Sequence, residues 1–254
     1  MKNSYVLVHG AWHDKRCWDK VASLLRAEGQ EVWACHFPDC EQGKNEIYLN
    51  TYVEEVIALA RRCQGDVVLV GHSMAGAVIS QVAEAVPDEI AALIYVTAYI
   101  PETGSSVLLE TRKTKQPSKL ASEFWVDDQK KFIGLHKTPR VRDVFYRGCS
   151  QPEAEQALAC LRPQPLGPMK DVVRLTKDNF GRIPKVYIAC QEDEVLPIEE
   201  QQRMYERVDA MRVITLPTGH FPLFSHPELL SRTLLDQVAL LHAQERSISL
   251  RARF

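Results

Sequence analysis

Short apolar runs alternate along the chain with stretches in which apolar residues recur every three to four positions. A short run bounded by polar residues predicts a buried strand, and the longer spacing predicts an amphipathic helix. The predicted strands cover residues 5–8, 31–34, 67–70, 90–96, 185–189 and 212–216. The predicted helices cover residues 18–28, 48–62, 78–86, 199–207 and 227–244. This alternation predicts an α/β fold with a mostly parallel six-stranded sheet and helices on both faces.

The alternation breaks between Pro101 and about Arg182, where the chain is polar and rich in proline. Large aromatic residues in this stretch require burial, which argues against a disordered linker. These aromatic residues are Phe124, Trp125, Phe132, Phe145 and Tyr146. Helical segments are expected near residues 143–146 and 152–160. We therefore expect residues 1–100 and 183–254 to form the core, and residues 101–182 to form a cap inserted over the carboxyl edge of the sheet.

The composition limits the class of protein further. The chain has 254 residues, of which 45% are apolar and 25% charged, as in ordinary globular domains. A formal net charge of −2 argues against nucleic acid as the main partner. The 7 cysteines are odd in number and scattered, which predicts reduced thiols in a cytoplasm. Neither a signal-peptide core nor an apolar run of membrane-spanning length occurs, so we expect a cytoplasmic protein that makes no membrane contact.

The stretch from residue 71 to residue 76 carries the strongest chemical signal. It reads GHSMAG and connects the third predicted strand to the next helix. A serine at the tip of such a strand–turn–helix holds its hydroxyl out of the backbone crease, in the arrangement called a nucleophile elbow and written G-x-S-x-G. Ala75 stands at the last position of that pattern, and Gly76 follows it. The alternative is a plain turn in which Ser73 caps the helix, because serine is a common N-cap residue.

Polar residues at two other strand ends complete a candidate site for acyl transfer. A serine hydroxyl needs a base within hydrogen-bond reach, and histidine suits that task. A carboxylate then orients the imidazole. Ser73, Asp193 and His220 occur in the chain order of nucleophile, acid and base that accompanies this motif. Other acids considered for the third role are Glu192, Glu194 and Asp178. Other histidines, for which roles outside the site are expected, are His72, His226 and His242.

Two backbone amides are expected to stabilise the developing oxyanion. The N–H of Met74 follows the serine and opens a helix whose dipole adds to the effect. The second donor is expected to be the N–H of Ala11, in the loop after the first strand. Gly10 either lets that loop approach the serine closely or merely permits a turn. His9 and His13 lie four residues apart with no third ligand nearby, so we expect neither a metal nor a cofactor.

Taken together, these residues resemble the α/β-hydrolase superfamily, and within it the branch of plant methylesterases, hydroxynitrile lyases and their bacterial esterase relatives. The resemblance covers nearly the whole chain and is carried by residues 6–12, 68–82, 124–127, 146–163 and 183–197. It implies that the serine, aspartate and histidine above are the catalytic triad, and that Ala11 and Met74 are the oxyanion donors. Trp125 matches a cap tryptophan that lines the pocket in these relatives.

Two positions separate esterases from lyases within this branch. The plant lyases that cleave cyanohydrins tend to carry threonine where Gly10 stands, and lysine after the catalytic histidine, where this chain has Phe221. A lysine cation would help to hold cyanide and a phenylalanine cannot, so both positions favour an esterase. The chain departs from the branch at Ala75, which replaces a glycine, and in the loop after Pro38, which lacks one.

We therefore expect a serine hydrolase that cleaves small carboxylic esters through an acyl-enzyme. Trp12, Met74, Trp125 and Phe221, with Gly10 beside them, are expected to form an apolar substrate pocket, which favours uncharged aryl or alkyl esters. Core packing would explain each of these aromatic residues equally well. Two other functions stay open: carbon–carbon lyase or cyclase chemistry on the same triad, and a small-molecule receptor without catalysis. A homodimer is also left open.

Overall fold

The computed structural model describes residues 3–38, 47–129 and 131–251. Its strands are β1 (Asn3–Val8), β2 (Glu31–Ala34), β3 (Asp66–His72), β4 (Ala92–Val96), β5 (Phe124–Asp127), β6 (Phe132–Leu135), β7 (Gln164–Pro165), β8 (Lys185–Cys190) and β9 (Arg212–Leu216). Its α-helices are α1 (Asp19–Ala27), α2 (Leu49–Ala60), α3 (Ala75–Ala85), α4 (Val107–Lys113), α5 (Pro139–Phe145), α6 (Gln151–Ala159), α7 (Gly167–Lys170), α8 (Ile198–Tyr205), α9 (Pro222–Ser225) and α10 (Pro227–Arg251).

The six strands predicted from the apolar runs form one sheet in the order β2-β1-β3-β4-β8-β9. Every neighbouring pair in it is parallel, which confirms the predicted α/β architecture. Strands β4 and β8 are buried at every position, as expected for a sheet that is covered on both faces. Among the flanking helices, α1 packs on α10 and α2 packs on α3.

The end of β3 matters most for the site. The apolar run stops at Val70, but the strand continues for two more residues, because Gly71 and His72 still pair with Tyr95 and Val96 of β4. Ser73 therefore follows the strand directly, at the carboxyl edge of the sheet. In parallel sheets this edge is where ligands bind.

Residues 101–182 hold a second, three-stranded sheet in the order β5-β6-β7, which is antiparallel. The sequence did not predict it, because its strands are only two to four residues long, which is too short to show a periodic pattern. The stretch supplies no strand to the six-stranded sheet within the described residues. Its division from the core at residues 101 and 182, and its role as a cap, stay predictions.

Three further expectations concern the chain as a whole. The cysteines that the structure describes are free thiols, whereas Cys40 lies outside the described residues. The loop that follows Pro38 lies outside them as well. In the described part of the chain, no helix combines the length and the apolar character needed to cross a bilayer.

Candidate active site

Ser73 stands at the tip of the turn between β3 and α3 with a φ of 55°, a strained conformation for any residue except glycine. The strand and the helix lie so close here that side chains have no room. A Cβ on Gly71 would lie 3.0 Å from the carbonyl oxygen of Ala75, and one on Gly76 would lie 2.2 Å from that of Tyr99. At the end of the motif, the residue that must be glycine is therefore Gly76. Ala75, one position earlier, fits as the first residue of α3.

The structure brings the three predicted side chains together. Nε2 of His220 lies 3.1 Å from Oγ of Ser73, and Nδ1 of His220 lies 2.6 Å from Oδ2 of Asp193. All three residues are buried. Because a carboxylate only accepts hydrogen bonds, Nδ1 of His220 donates to Asp193, which leaves Nε2 as the ring nitrogen that can accept from the serine hydroxyl.

Asp193 receives three further hydrogen bonds, which hold both carboxylate oxygens. The backbone N–H groups of Val195 and Leu196 donate to Oδ1 over 2.7 and 2.8 Å. Oγ1 of Thr97 donates to Oδ2 over 2.5 Å. Thr97 was missed at the level of sequence, although it directly follows β4 and thus also lies at the carboxyl edge of the sheet. The rule that predicted the other residues would have found it if applied to this strand end.

The alternative acids lie elsewhere. Glu194 pairs with Lys119 and Arg147, and Glu192 pairs with Arg147. Asp178 is exposed to solvent. An ion pair at the surface occupies both glutamates, so Asp193 is the acid that the fold places beside the imidazole.

The loop after β1 approaches the elbow closely at Gly10. A Cβ on Gly10 would lie 2.9 Å from Cβ of Ser73 and 3.1 Å from the carbonyl oxygen of His72. Gly10 does not adopt a positive φ, so the glycine is required for space rather than for a turn. Ala11, Ser73 and Met74 line one cavity, so both residues predicted to supply oxyanion donors lie at the same cavity as the serine.

Two other buried histidines, His72 and His9, contact backbone carbonyls of the site residues, whereas His226 and His242 do not. Nε2 of His72 lies 2.8 Å from the carbonyl oxygen of His220, and burial holds its pKa well below the ordinary 6.5. Nδ1 of His9 lies 2.8 Å from the carbonyl oxygen of Gly10, and burial lowers its pKa to about 4. His226 and His242 bond to Ser225 and Asn3 respectively, away from the serine. No cluster suited to a metal ion occurs among the residues that the structure describes.

A family model described as "Alpha/beta hydrolase family" matches residues 5–233 of the chain. The chain belongs to the alpha/beta hydrolase family.

Three of the most similar proteins narrow its place in that family. Methylesterase 2 of Arabidopsis thaliana is 30% identical over 252 residues, covering 92% of this chain and 95% of that protein. The pyrethroid hydrolase of Sphingobium wenxiniae is 31% identical over 244 residues, covering 91% and 86%. The crystal structure of a pyrethroid hydrolase from Sphingobium faniae superposes with a TM-score of 0.83 at 27% identity and covers 93% and 97%. This α/β hydrolase thus falls in the methylesterase-like branch.

Ser73 of this α/β hydrolase opens into a cavity of about 280 Å³. Its lining is mainly apolar. The apolar side chains include Trp12, Met74, Val107, Phe124, Ile133 and Met169. Two of the predicted pocket residues, Trp12 and Met74, are therefore lining residues. Gly10 takes part only through its close approach to Ser73.

Two other predicted pocket residues, Trp125 and Phe221, do not line this cavity. The indole ring of Trp125 packs against Gly134 of the neighbouring strand β6. A Cβ added to Gly134 would lie 2.2 Å from that ring. Side chains alternate between the two faces of a strand, so the adjacent Phe124 faces the cavity instead. Phe221 is buried against His13, His72 and other rings behind the imidazole of the site. Strand alternation allows only one of these two adjacent aromatic residues to face the cavity, but it does not say which one.

Charged residues also line the cavity, and they neutralise one another. Nη1 of Arg203 lies 3.0 Å from Oε2 of Glu110, and its Nε lies 2.8 Å from Oε2 of Glu200. Burial tends to raise the pKa of Glu110, but hydrogen bonds from Lys113, Ser105 and Arg203 outweigh it and lower the pKa to about 2. Glu110 is thus ionised and fully paired. No sequence pattern marked these residues, since they meet only in the fold.

Proposed function

We propose that this α/β hydrolase is a serine hydrolase that cleaves small carboxylic esters through an acyl-enzyme. The observation that carries the proposal is the hydrogen-bonded chain from Ser73 through His220 to Asp193 at the wall of an apolar cavity. The similar proteins point the same way, because they are named methylesterase and pyrethroid hydrolase. Carboxylic ester hydrolysis is the enzyme class that these names share.

In the proposed reaction, Oγ of Ser73 attacks the ester carbonyl carbon while Nε2 of His220 takes the hydroxyl proton. The N–H groups of Ala11 and Met74 stabilise the oxyanion that forms. His220 then protonates the leaving alcohol, and the acyl group remains on the serine. A water molecule, deprotonated by His220, releases the carboxylic acid. Asp193 keeps the imidazole in the correct tautomer and stabilises its cation.

The cavity favours uncharged aryl or alkyl esters as substrates. Its apolar side chains gain little from contact with a charged group, and a desolvated charge needs a partner. The cation among the residues that line the cavity, Arg203, is already paired with Glu110 and Glu200. Lyase chemistry on a cyanohydrin gains no support, because the residue after His220 is a buried phenylalanine that offers cyanide no cation.

A covalent probe tests the proposal directly. A fluorophosphonate is expected to add to Ser73 and to abolish hydrolysis of methyl and p-nitrophenyl esters, with the adduct located by peptide mass spectrometry. Ser73→Ala should lose both labelling and turnover. Ser231→Ala, which alters a buried serine on α10 without a hydrogen-bond partner for its hydroxyl in the described structure, should keep both.

Each alternative function has its own outcome in that experiment. Cyanide release from cyanohydrins without ester turnover would favour a lyase. Thermal stabilisation by an aryl ligand with no turnover and no label would favour a receptor. Either result, obtained with folded protein, would refute the acyl-enzyme proposal.

A further inference from the structure

Tyr146, which follows α5, reaches across to the loop after β1. Its hydroxyl lies 2.8 Å from Nε2 of His13. Nδ1 of the same imidazole lies 2.9 Å from the carbonyl oxygen of Ala11. A single histidine therefore connects a tyrosine hydroxyl in the stretch 101–182 to the residue that is proposed to supply an oxyanion donor.

The chemistry of the three groups fixes the direction of these hydrogen bonds. A carbonyl oxygen only accepts, so Nδ1 of His13 carries the proton. Burial lowers the pKa of His13 to about 3, so its ring is neutral at working pH and Nε2 must accept. Tyr146 is then the donor, and burial raises the pKa of its hydroxyl, which keeps the proton in place. Each link has one possible polarity, and loss of the tyrosine hydroxyl leaves a lone pair of the imidazole unpaired.

The carbonyls on either side of Ala11, those of Gly10 and Trp12, also accept hydrogen bonds. The carbonyl of Gly10 accepts from Nδ1 of His9, as described above. The carbonyl of Trp12 accepts from the backbone N–H of Arg162 over 3.0 Å. The C=O of Gly10 and the N–H of Ala11 belong to one trans peptide and point in opposite directions, so the held Gly10 carbonyl orients that N–H. His13 restrains the next peptide through the carbonyl of Ala11, so the two peptides that meet at Ala11 are both held.

Aromatic packing restrains the same imidazole. The ring of His13 lies 4.3 Å from that of Phe221 and 5.5 Å from that of Phe145, measured between centroids. Phe221, which does not line the cavity, thus supports the histidine that holds the loop. Tyr146 itself is buried and does not line the cavity, so it touches no substrate there.

We propose that Tyr146 is a positioning residue for the oxyanion hole: through His13 it holds the carbonyl of Ala11 and so restrains the residue whose N–H stabilises the tetrahedral intermediate. The inference rests on the proposed ester hydrolysis. It makes residues 101–182 part of the reaction geometry as well as a wall of the cavity. Its role is distinct from substrate binding, so it should appear in kcat rather than in KM.

Tyr146→Phe removes the hydroxyl and keeps the ring. We expect kcat to fall about tenfold, because complete loss of an oxyanion donor costs about 100-fold or more and this variant only loosens one. KM should stay within about twofold. Affinity for a trifluoromethyl ketone, which forms an oxyanion on Ser73, should fall in parallel with kcat.

Tyr95→Phe is the matched control. It removes another buried tyrosine hydroxyl with a 2.8 Å hydrogen bond, to Oγ of Ser80, and Tyr95 does not line the cavity. It should lower the melting temperature about as much as Tyr146→Phe and leave kcat unchanged. Equal losses of kcat in the two variants would show that only stability had changed, and would overturn the inference.

His13→Asn gives a second test. The asparagine amide can still donate to the carbonyl of Ala11, but it is too short to connect that carbonyl to the hydroxyl of Tyr146. In this background Tyr146→Phe should have no further effect on kcat, and additive losses would also overturn the inference. Unchanged kcat and ketone affinity in Tyr146→Phe alone would do the same. Failure of the underlying function is distinguishable, because the unaltered protein would then show no turnover that depends on Ser73.

Discussion

Substituting Gly10 by alanine tests the close approach between the first loop and the elbow. The added Cβ would lie 2.9 Å from Cβ of Ser73, 3.1 Å from Nδ1 of His72 and 3.1 Å from the carbonyl oxygen of His72. These neighbours are a backbone atom and two short buried side chains, so none can swing away. The loop itself must withdraw, and it carries the amide of Ala11 with it.

The size of the effect follows from the distances. Carbon atoms pack best at about 3.5–4.0 Å, so the loop must retreat by roughly 0.6 Å or more. Forcing an extra methyl group into a packed interior costs about 1–3 kcal/mol. A misplacement of about 1 Å can cost about 100-fold in rate, so we expect kcat of Gly10→Ala to fall between about 10-fold and 100-fold.

The assay is steady-state hydrolysis of a p-nitrophenyl ester, together with a thermal melt. Gly181→Ala is the control, since the nearest atom to its added Cβ is 3.3 Å away in a segment remote from the serine. It should keep full activity. If folded Gly10→Ala retained kcat within about twofold, the loop would not be held against the elbow, and the reasoning about its geometry would be refuted.

Two further predictions concern Asp193 and the buried histidines. Thr97→Val removes one of the hydrogen-bond donors to Asp193. A hydrogen bond to a charged group contributes about 1.5–3 kcal/mol, so kcat/KM for the same ester should fall about tenfold or more. An unchanged kcat/KM would contradict the role assigned to Thr97. The pKa values of His9, at about 4, and of His72 are lowered by burial, so between pH 6.5 and about 4 the unfolded chain binds protons that the folded chain does not. The free energy of unfolding should therefore decrease on acidification by up to about 1.4 kcal/mol per histidine per pH unit. Urea titrations between pH 7.5 and 4.5 measure this, and a flat profile would show that these imidazoles are not held neutral.

Several features could be predicted because they depend on local patterns and on one rule of topology. The apolar runs placed all six strands of the main sheet, and parallel strands bring their carboxyl ends to one edge. For that reason Ser73, Asp193 and His220, which are far apart in sequence, could be expected to meet. Even so, the hydroxyl of Thr97 at the next strand end was overlooked.

The second sheet and the pocket wall could not be predicted in the same way. Strands β5, β6 and β7 are only two to four residues long, so their pairing leaves no periodic signal in the sequence. Trp125 was chosen over Phe124 by resemblance. Which of two adjacent aromatic residues faces the cavity depends on the pairing of β5 with β6, which the structure alone provides.

The sequence by itself therefore determined the sheet, the elbow and the identity of the three residues that meet there, since apolar periodicity and strand direction act over short distances along the chain. Only the tertiary structure decided what surrounds them: the hydroxyl that holds Asp193, the ion pairs at the cavity, and the link from Tyr146 through His13 to Ala11. Three of these contacts, Tyr146 to His13, Thr97 to Asp193 and Arg203 to Glu110, each join residues more than 90 positions apart. Their geometry depends on how separate elements pack, and a linear pattern does not record that.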